Sequence, residues 1–261
     1  MIADYHVHTS FSDDSVYPME EVVRKAISIG LQEICFTEHV DHGVKTEDNC
    51  DYPAYVKEFG RCSEKYGTEI GLKLGIEFGM QVHTIDQFQR DFDEYDFDFV
   101  IMSCHQVGDK EFWTKDFQKG KTQKEYNEKY YVEILKVIRT YKDYSVLGHL
   151  DMIKRYDDEG DYPFEKVEGL IREILETVIR DGKGIEVNTS SFRYGLNDLT
   201  PSVDILKLYR SLGGEIITIG SDSHAESHLG YKIGEVQGIL KGLGFSHIHT
   251  FERMKPIAHD I

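Results

Sequence analysis

Positive charge is scarce in this chain: 30 lysines and arginines stand against 47 aspartates and glutamates, for a formal charge of −17 over 261 residues. Such a balance argues against unassisted binding to DNA, RNA or an anionic membrane, each of which rewards a surplus of cations. Cysteine is scarce too. Cys35, Cys50, Cys62 and Cys104 show no CxxC spacing, and Cys35 and Cys104 fall in apolar strand-like runs. They read as small buried hydrophobes, and no disulfide framework is expected. No signal peptide is visible, nor an apolar run of about 18 residues able to span a membrane. The expected location is the cytoplasm, which makes the Asn188-Thr189-Ser190 sequon incidental. A GxGxxG phosphate loop is missing. Gly120-Lys121-Thr122 mimics the end of a P-loop, but Lys115 stands where the motif needs glycine and no strand leads into it.

What is present is a regular alternation of strand-like and helix-like segments, without linker, low-complexity stretch or convincing repeat. Hydrophobic residues make up 40% of the chain, ample for a large core. Apolar runs place strands near 2–8, 32–38, 70–77, 97–104, 144–149, 184–188 and 215–221, with a short eighth near 247–251. Helical spacing falls at 18–29, 53–66, 122–142, 164–181, 202–212 and 232–242, with a weaker element at 84–92. Seven or eight βα units suggest a parallel sheet closed into a barrel, one α/β domain over 1–261.

The most informative residues lie in Asp4-Tyr5-His6-Val7-His8. Positions two apart on a strand share a face, so both imidazoles point the same way, as chelation of one metal requires. His39, Glu77, His105, His149, Asp222 and His224 stand at the C-terminal ends of later strands. In a barrel those ends form one rim, where such enzymes keep their chemistry. Taken singly, each is as well explained by a helix cap or a solvated side chain. Together they point to a shared metal site, with imidazole suiting zinc, iron or manganese and carboxylate able to bridge two ions.

The segments DYHVHTSFSDDS, FTEH, GIE, SCH, GHLD and GSDSH, in this order, resemble the polymerase and histidinol phosphatase (PHP) superfamily of metal-dependent phosphoesterases. The match runs over nearly the whole chain, and the length looks most like the stand-alone histidinol-phosphatase branch. The resemblance implies a distorted (β/α)7 barrel and three divalent metal ions, zinc, manganese or iron. It further implies that His6, His8, Glu77 and Asp222 hold one ion, and that Glu77 bridges to a second held by His105 and His149. Asp14, His39 and His224 would hold the third. Some relatives carry histidine at position 14; an aspartate hardens that site, and Asp13 is its neighbouring alternative. Asp4 and Asp151 would orient ligating imidazoles.

A cluster of this kind suits hydrolysis of a small-molecule phosphate ester. Arg155 and Arg193 fall in strand-to-helix loops of the same rim, where a guanidinium fork can bind a phosphate. His42, or His228, is a candidate proton donor to the leaving alcohol. The substrate that the resemblance implies is L-histidinol phosphate, with Trp113, Phe112 and Asp109 as candidate contacts for its amine and ring. Rival readings are another small phosphomonoester, a nucleotide or phosphotyrosine, a barrel amidohydrolase, and a non-catalytic metal-binding domain. The sequence says nothing of oligomeric state.

Overall fold

The computed structural model describes residues 1–44 and 49–261. Its strands are β1 (Ala3–Val7), β2 (Glu33–Phe36), β3 (His39–Val40), β4 (Gly71–Gly79), β5 (Phe99–Ser103), β6 (Val146–Leu147), β7 (Gly184–Asn188) and β8 (Ile217–Gly220). They pair in parallel in the order β1-β2-β4-β5-β6-β7-β8, and β3 continues the line of β2 along β4. The ring closes where Val7 bridges Ser223: His8 donates to the Ser223 carbonyl at 2.8 Å, and Ser223 donates back to His6 at 3.1 Å. This is the distorted (β/α)7 barrel. The distortion lies in a broken second strand and in β6, which keeps only two of the residues expected as strand over 144–149.

The intervening helices follow from local signals. In α1 (Met19–Ser28), Pro18 presets the entry backbone, Met19, Val22, Val23 and Ala26 form the buried stripe, and Gly30 leaves the last turn at φ +79°. Thr122 and Glu125 close a capping box at the start of the helix Gln123–Thr140, which is the role of the threonine in the P-loop mimic. The weak element is a helix, Ile85–Glu94. The stretch 164–181 opens with a 3-10 turn (Phe164–Lys166) before its helix, Glu168–Arg180.

Alternation along the strands sends Val7, Phe36, Ile76, Phe78, Val100 and Val187 outward beneath the helices. The other face fills the barrel. At its N-terminal end Tyr5, Cys35, Phe99, Ile101, Val146 and Phe251 form one apolar cluster. A register shift between Asp4 and Val7 sets Tyr5 and His6 against one residue of β2. That bulge changes the phase of β1, so Tyr5 joins the apolar cluster while His6 and His8 reach the polar end.

The expected eighth strand exists but is not a barrel strand. His247–Glu252 (β9) pairs antiparallel with β10 (Lys255–Asp260) through Arg253 and Met254, both at positive φ, as a two-residue hairpin turn demands. The hairpin seals the N-terminal mouth: the Tyr5 hydroxyl donates to the Phe251 carbonyl at 3.2 Å and accepts from its N–H at 2.8 Å.

Candidate metal centre

The opposite mouth is built around one carboxylate. Glu77, on β4 and fully buried, has five imidazoles about it: His149 at 2.9 Å, His39 at 3.0 Å, His6 at 3.1 Å, His105 at 3.3 Å and His8 at 3.5 Å. Asp222 adds an oxygen 3.7 Å from His6 and 3.6 Å from His8. Asp14, on the loop after β1, lies 3.1 Å from His224 and 3.7 Å from His39. Every ligand candidate read from the sequence is therefore in one cluster, whose donor atoms converge as His8-His39-His224, His6-His8-Asp222, His6-Glu77-His149 and His39-Glu77-His105, with Asp14 beside His39 and His224. Asp13 lines the nearby cavity.

Close glycines make room. A Cβ on Gly79 would collide with Asp41 and His105, and one on Gly220 with His6 and Glu186. Asp222 itself sits at φ +56°, a conformation that costs a non-glycine residue on the order of 1–3 kcal/mol and is kept where surroundings impose it.

The donor set fits divalent cations. Burial pushes the Glu77 carboxyl up, but His6, His105 and His39 outweigh it and hold it well below the usual range. Burial drives the His8 imidazole well below its usual value, reinforced by His39, His224 and His6, so it is neutral, as a metal ligand must be. Its Nε2 is buried without a hydrogen-bond partner although Glu77 and Asp222 oxygens lie nearby. A cation between them satisfies all three.

A second layer aims the rings, and most of it escaped the sequence reading. His6 Nδ1 meets Glu186 at 2.5 Å, and the other Glu186 oxygen accepts from the backbone N–H of His149 at 2.8 Å. His8 Nδ1 lies 3.1 Å from the Ser12 hydroxyl, which donates to Glu38 at 2.6 Å. His105 Nδ1 lies 3.1 Å from Asp41, and the Ser103 hydroxyl donates to Glu77 at 2.6 Å. The missed signal for Glu186 is that Gly184-Ile185-Glu186 repeats the tripeptide of Gly75-Ile76-Glu77. Asp4 and Asp151 touch no imidazole side chain. Asp4 accepts from Ser221 and Gly230, and Asp151 from Lys154 and Ser202.

The cluster opens into a cavity of about 290 Å³. Arg155 lines it, nearly buried, its guanidinium 3.8 Å from the Tyr194 ring and donating to Ser190 at 2.7 Å. Arg193 stands on the same rim but does not line the cavity. Both its terminal nitrogens serve backbone carbonyls, Ser221 at 2.7 Å and Asp222 at 2.8 Å. His42 is likewise turned away, packed on Phe88 and 2.7 Å from Asp91. Trp113 lines the cavity, whereas Phe112 is buried against Phe117 and Tyr130, and Asp109 is held by Gln81 and His83. His228 lies in a short 3-10 turn outside the cavity lining.

Barrel and site together define an enzyme whose chemistry is carried by metal ions. The chain belongs to the PHP domain family, whose model matches residues 4–190. It is 33% identical to the histidinol-phosphatase of Lactococcus lactis over 97% of this chain and 95% of that one. It is also 33% identical to a probable histidinol-phosphatase of Clostridium acetobutylicum, over 88% and 89%. Among solved structures, the Lactococcus lactis histidinol phosphate phosphatase complexed with zinc, L-histidinol and phosphate superposes with a TM-score of 0.88 at 32% identity, covering 98% of both chains. Among the described residues no helix is long and apolar enough to cross a membrane.

Proposed function

We propose that the chain is a metal-dependent phosphomonoesterase that hydrolyses L-histidinol phosphate to L-histidinol and inorganic phosphate. The observation that carries this reading is the buried carboxylate of Glu77, ringed by five histidines beside a cavity that holds Arg155. The likeness to the Lactococcus lactis enzyme supports the alcohol half of the substrate.

The sets that the family resemblance implies, His6-His8-Glu77-Asp222, Glu77-His105-His149 and Asp14-His39-His224, would hold the ions. When bound, divalent cations supply Lewis acidity toward phosphoryl oxygens and acidify a water, so that hydrolysis proceeds near neutral pH. Glu77 and Asp222 offset the ions' charge, and Glu77 is shared between two sets. Glu186, Ser12 and Asp41 hold the His6, His8 and His105 rings so that their free nitrogens converge. Arg155 is the phosphate-binding cation. Its guanidinium is fixed between Tyr194 and Ser190, leaving Nε without a partner. Arg193 acts on the backbone that presents Asp222. In the reaction, water oxygen bonds to phosphorus, the ester P–O bond breaks, and the departing alkoxide takes up a proton. Asp13 and Glu111 line the same cavity as Arg155. A guanidinium and carboxylates within one cavity suit a substrate with a phosphate at one end and an ammonium at the other.

The test is phosphate release from L-histidinol phosphate beside a panel of other monoesters, with metal content measured on the same sample. The expected result is a kcat/KM for histidinol phosphate well above the panel, abolished by chelation. Preference for another ester would discard the substrate and keep the chemistry; metal bound without release from any ester would discard both. Arg155→Met should lower kcat/KM by roughly 10- to 100-fold, mainly through KM, as loss of a charged hydrogen bond predicts.

A further inference from the structure

The 3-10 turn Met152–Tyr156 is a wall with a cavity on each side. Met152, Arg155 and Tyr156 face the metal-centre cavity, while Asp151 and Lys154 line a second one of about 410 Å³. The second cavity has a volume ordinary for small-molecule sites. Its floor is apolar: Tyr131, Val167, Ile171 and Ile205 are each buried. Its charged groups are mostly acidic: Asp151, Asp161, Asp198 and Asp204. Among the described residues that line it the one cation is Lys154, and that ammonium is already bound to Asp151 at 2.7 Å and to the Leu199 carbonyl at 2.6 Å. Asp161 and Asp204 stand exposed at the edge, Asp204 with Lys207 at 3.2 Å on its outer side. Asp198, partly buried, caps Val203.

The observation that points to a ligand is Asp151. It is 4% exposed and lines the cavity, and its Oδ1 is buried with no hydrogen-bond partner. A buried carboxylate oxygen left unmatched is costly, and a donor arriving from the cavity removes that cost. We propose that this cavity binds a small organic cation, a primary amine with an apolar or aromatic body, and that its occupancy is coupled to phosphate binding at the metal centre.

The apolar floor takes the body and Asp151 takes the ammonium, while the acidic edge attracts cations and turns anions away. Coupling follows from the shared wall. Lys154 and Asp151 hold one side of the turn, to Leu199 and Ser202, and Arg155, next in sequence, reaches Ser190 on the other. An amine that competes with Lys154 for Asp151 shifts the turn on which the phosphate-binding guanidinium is carried. By linkage, phosphate must alter amine affinity by the same factor.

Calorimetric titration of the metal-loaded full chain with phenethylamine tests the site, with phenethyl alcohol and phenylacetate as neutral and anionic isosteres. The amine should bind at least about tenfold more tightly than the alcohol, with phenylacetate weaker still. Asp161→Asn combined with Asp204→Asn, two exposed positions, should weaken the amine severalfold while leaving phosphate affinity in its absence unchanged. Leu196→Trp, which fills the cavity from its side, should abolish amine binding. In the unaltered protein, saturating phenethylamine should change the affinity for inorganic phosphate severalfold. The proposal is overturned if the amine binds no better than the alcohol, if both variants bind it as the unaltered chain does, or if phosphate affinity is indifferent to it. Simple displacement of the amine by phosphate that persists in both variants would place it in the metal-centre cavity and overturn the proposal as well.

Discussion

The two mouths of the barrel are made from the same strands and answer opposite demands. At the N-terminal mouth β1 contributes Tyr5 and β5 contributes Phe99, closed over by Phe251 with ring centroids 5.0 Å apart along the chain of contacts. At the C-terminal mouth the same two strands lead to His6, His8 and His105, gathered with Glu77 away from water. The first end gains free energy by burial of apolar surface. The second loses it, because carboxylates and imidazoles are desolvated there and matched to one another only in part. Stability is thus concentrated at one mouth, which leaves the other free to hold an arrangement that only metal ions complete.

The comparison can be broken from either side. The largest effect is expected at Glu77. Glu77→Gln should reduce phosphate release far beyond the roughly 10- to 100-fold typical of outer groups, with a matching loss of bound metal. The metal-free variant should melt no lower than the metal-free parent, as calorimetry would read; a marked drop would mean that the cluster also stabilises the fold. Phe251→Ala attacks the other mouth. It should cost about 3–5 kcal/mol in denaturant unfolding while the folded fraction keeps its kcat, since the ring lies in the plug and touches none of the ligands. Loss of kcat in step with stability would show that the two ends are not separable.

Glu186→Gln sharpens the contrast within the site. It keeps the shape of the side chain but weakens the hold on His6, so metal affinity or activity should fall by roughly 10- to 100-fold, measured by titration against a competing chelator. The smallest effect is expected at neither mouth. Lys65, Tyr66 and Arg61 hold the surface carboxyl of Glu20 down to about 2. A carboxyl depressed in the folded chain adds stability above its unfolded value, roughly 4.3, and loses it as pH falls toward the folded value. Glu20→Gln should therefore melt slightly below the parent at pH 7, and the gap should close between about pH 4 and 2.

The convergence of the candidate ligands was legible because chemistry fixes their type and the barrel fixes their place. Two histidines two apart on a strand must share a face, and strand ends far apart in sequence must share a rim. The bulge in β1 was not legible: a strict alternation from Ala3 would have excluded either Tyr5 or His6 from the interior, and only pairing with β2 decides that both enter. Nor was the direction of long side chains. Arg155 and Arg193 stand on equivalent loops, yet one faces the cavity and the other the backbone of Ser221 and Asp222, because guanidinium reach exceeds the spacing between those alternatives. Glu186 carried a signal, the repeated Gly-Ile-Glu, but a single carboxylate in an apolar strand becomes meaningful only when the imidazole it meets is known.

By itself, then, the sequence determined the succession of βα units, the acidic and cation-poor surface, and the set of residues able to bind metal, since these follow from periodicity, composition and donor chemistry. Tertiary structure alone decided which groups aim the imidazoles, which arginine faces the cavity, and that the last apolar strand is a plug and not an eighth stave. Those choices depend on contacts between residues up to 246 positions apart, such as Tyr5 with Phe251, and no local pattern records a partner at that distance.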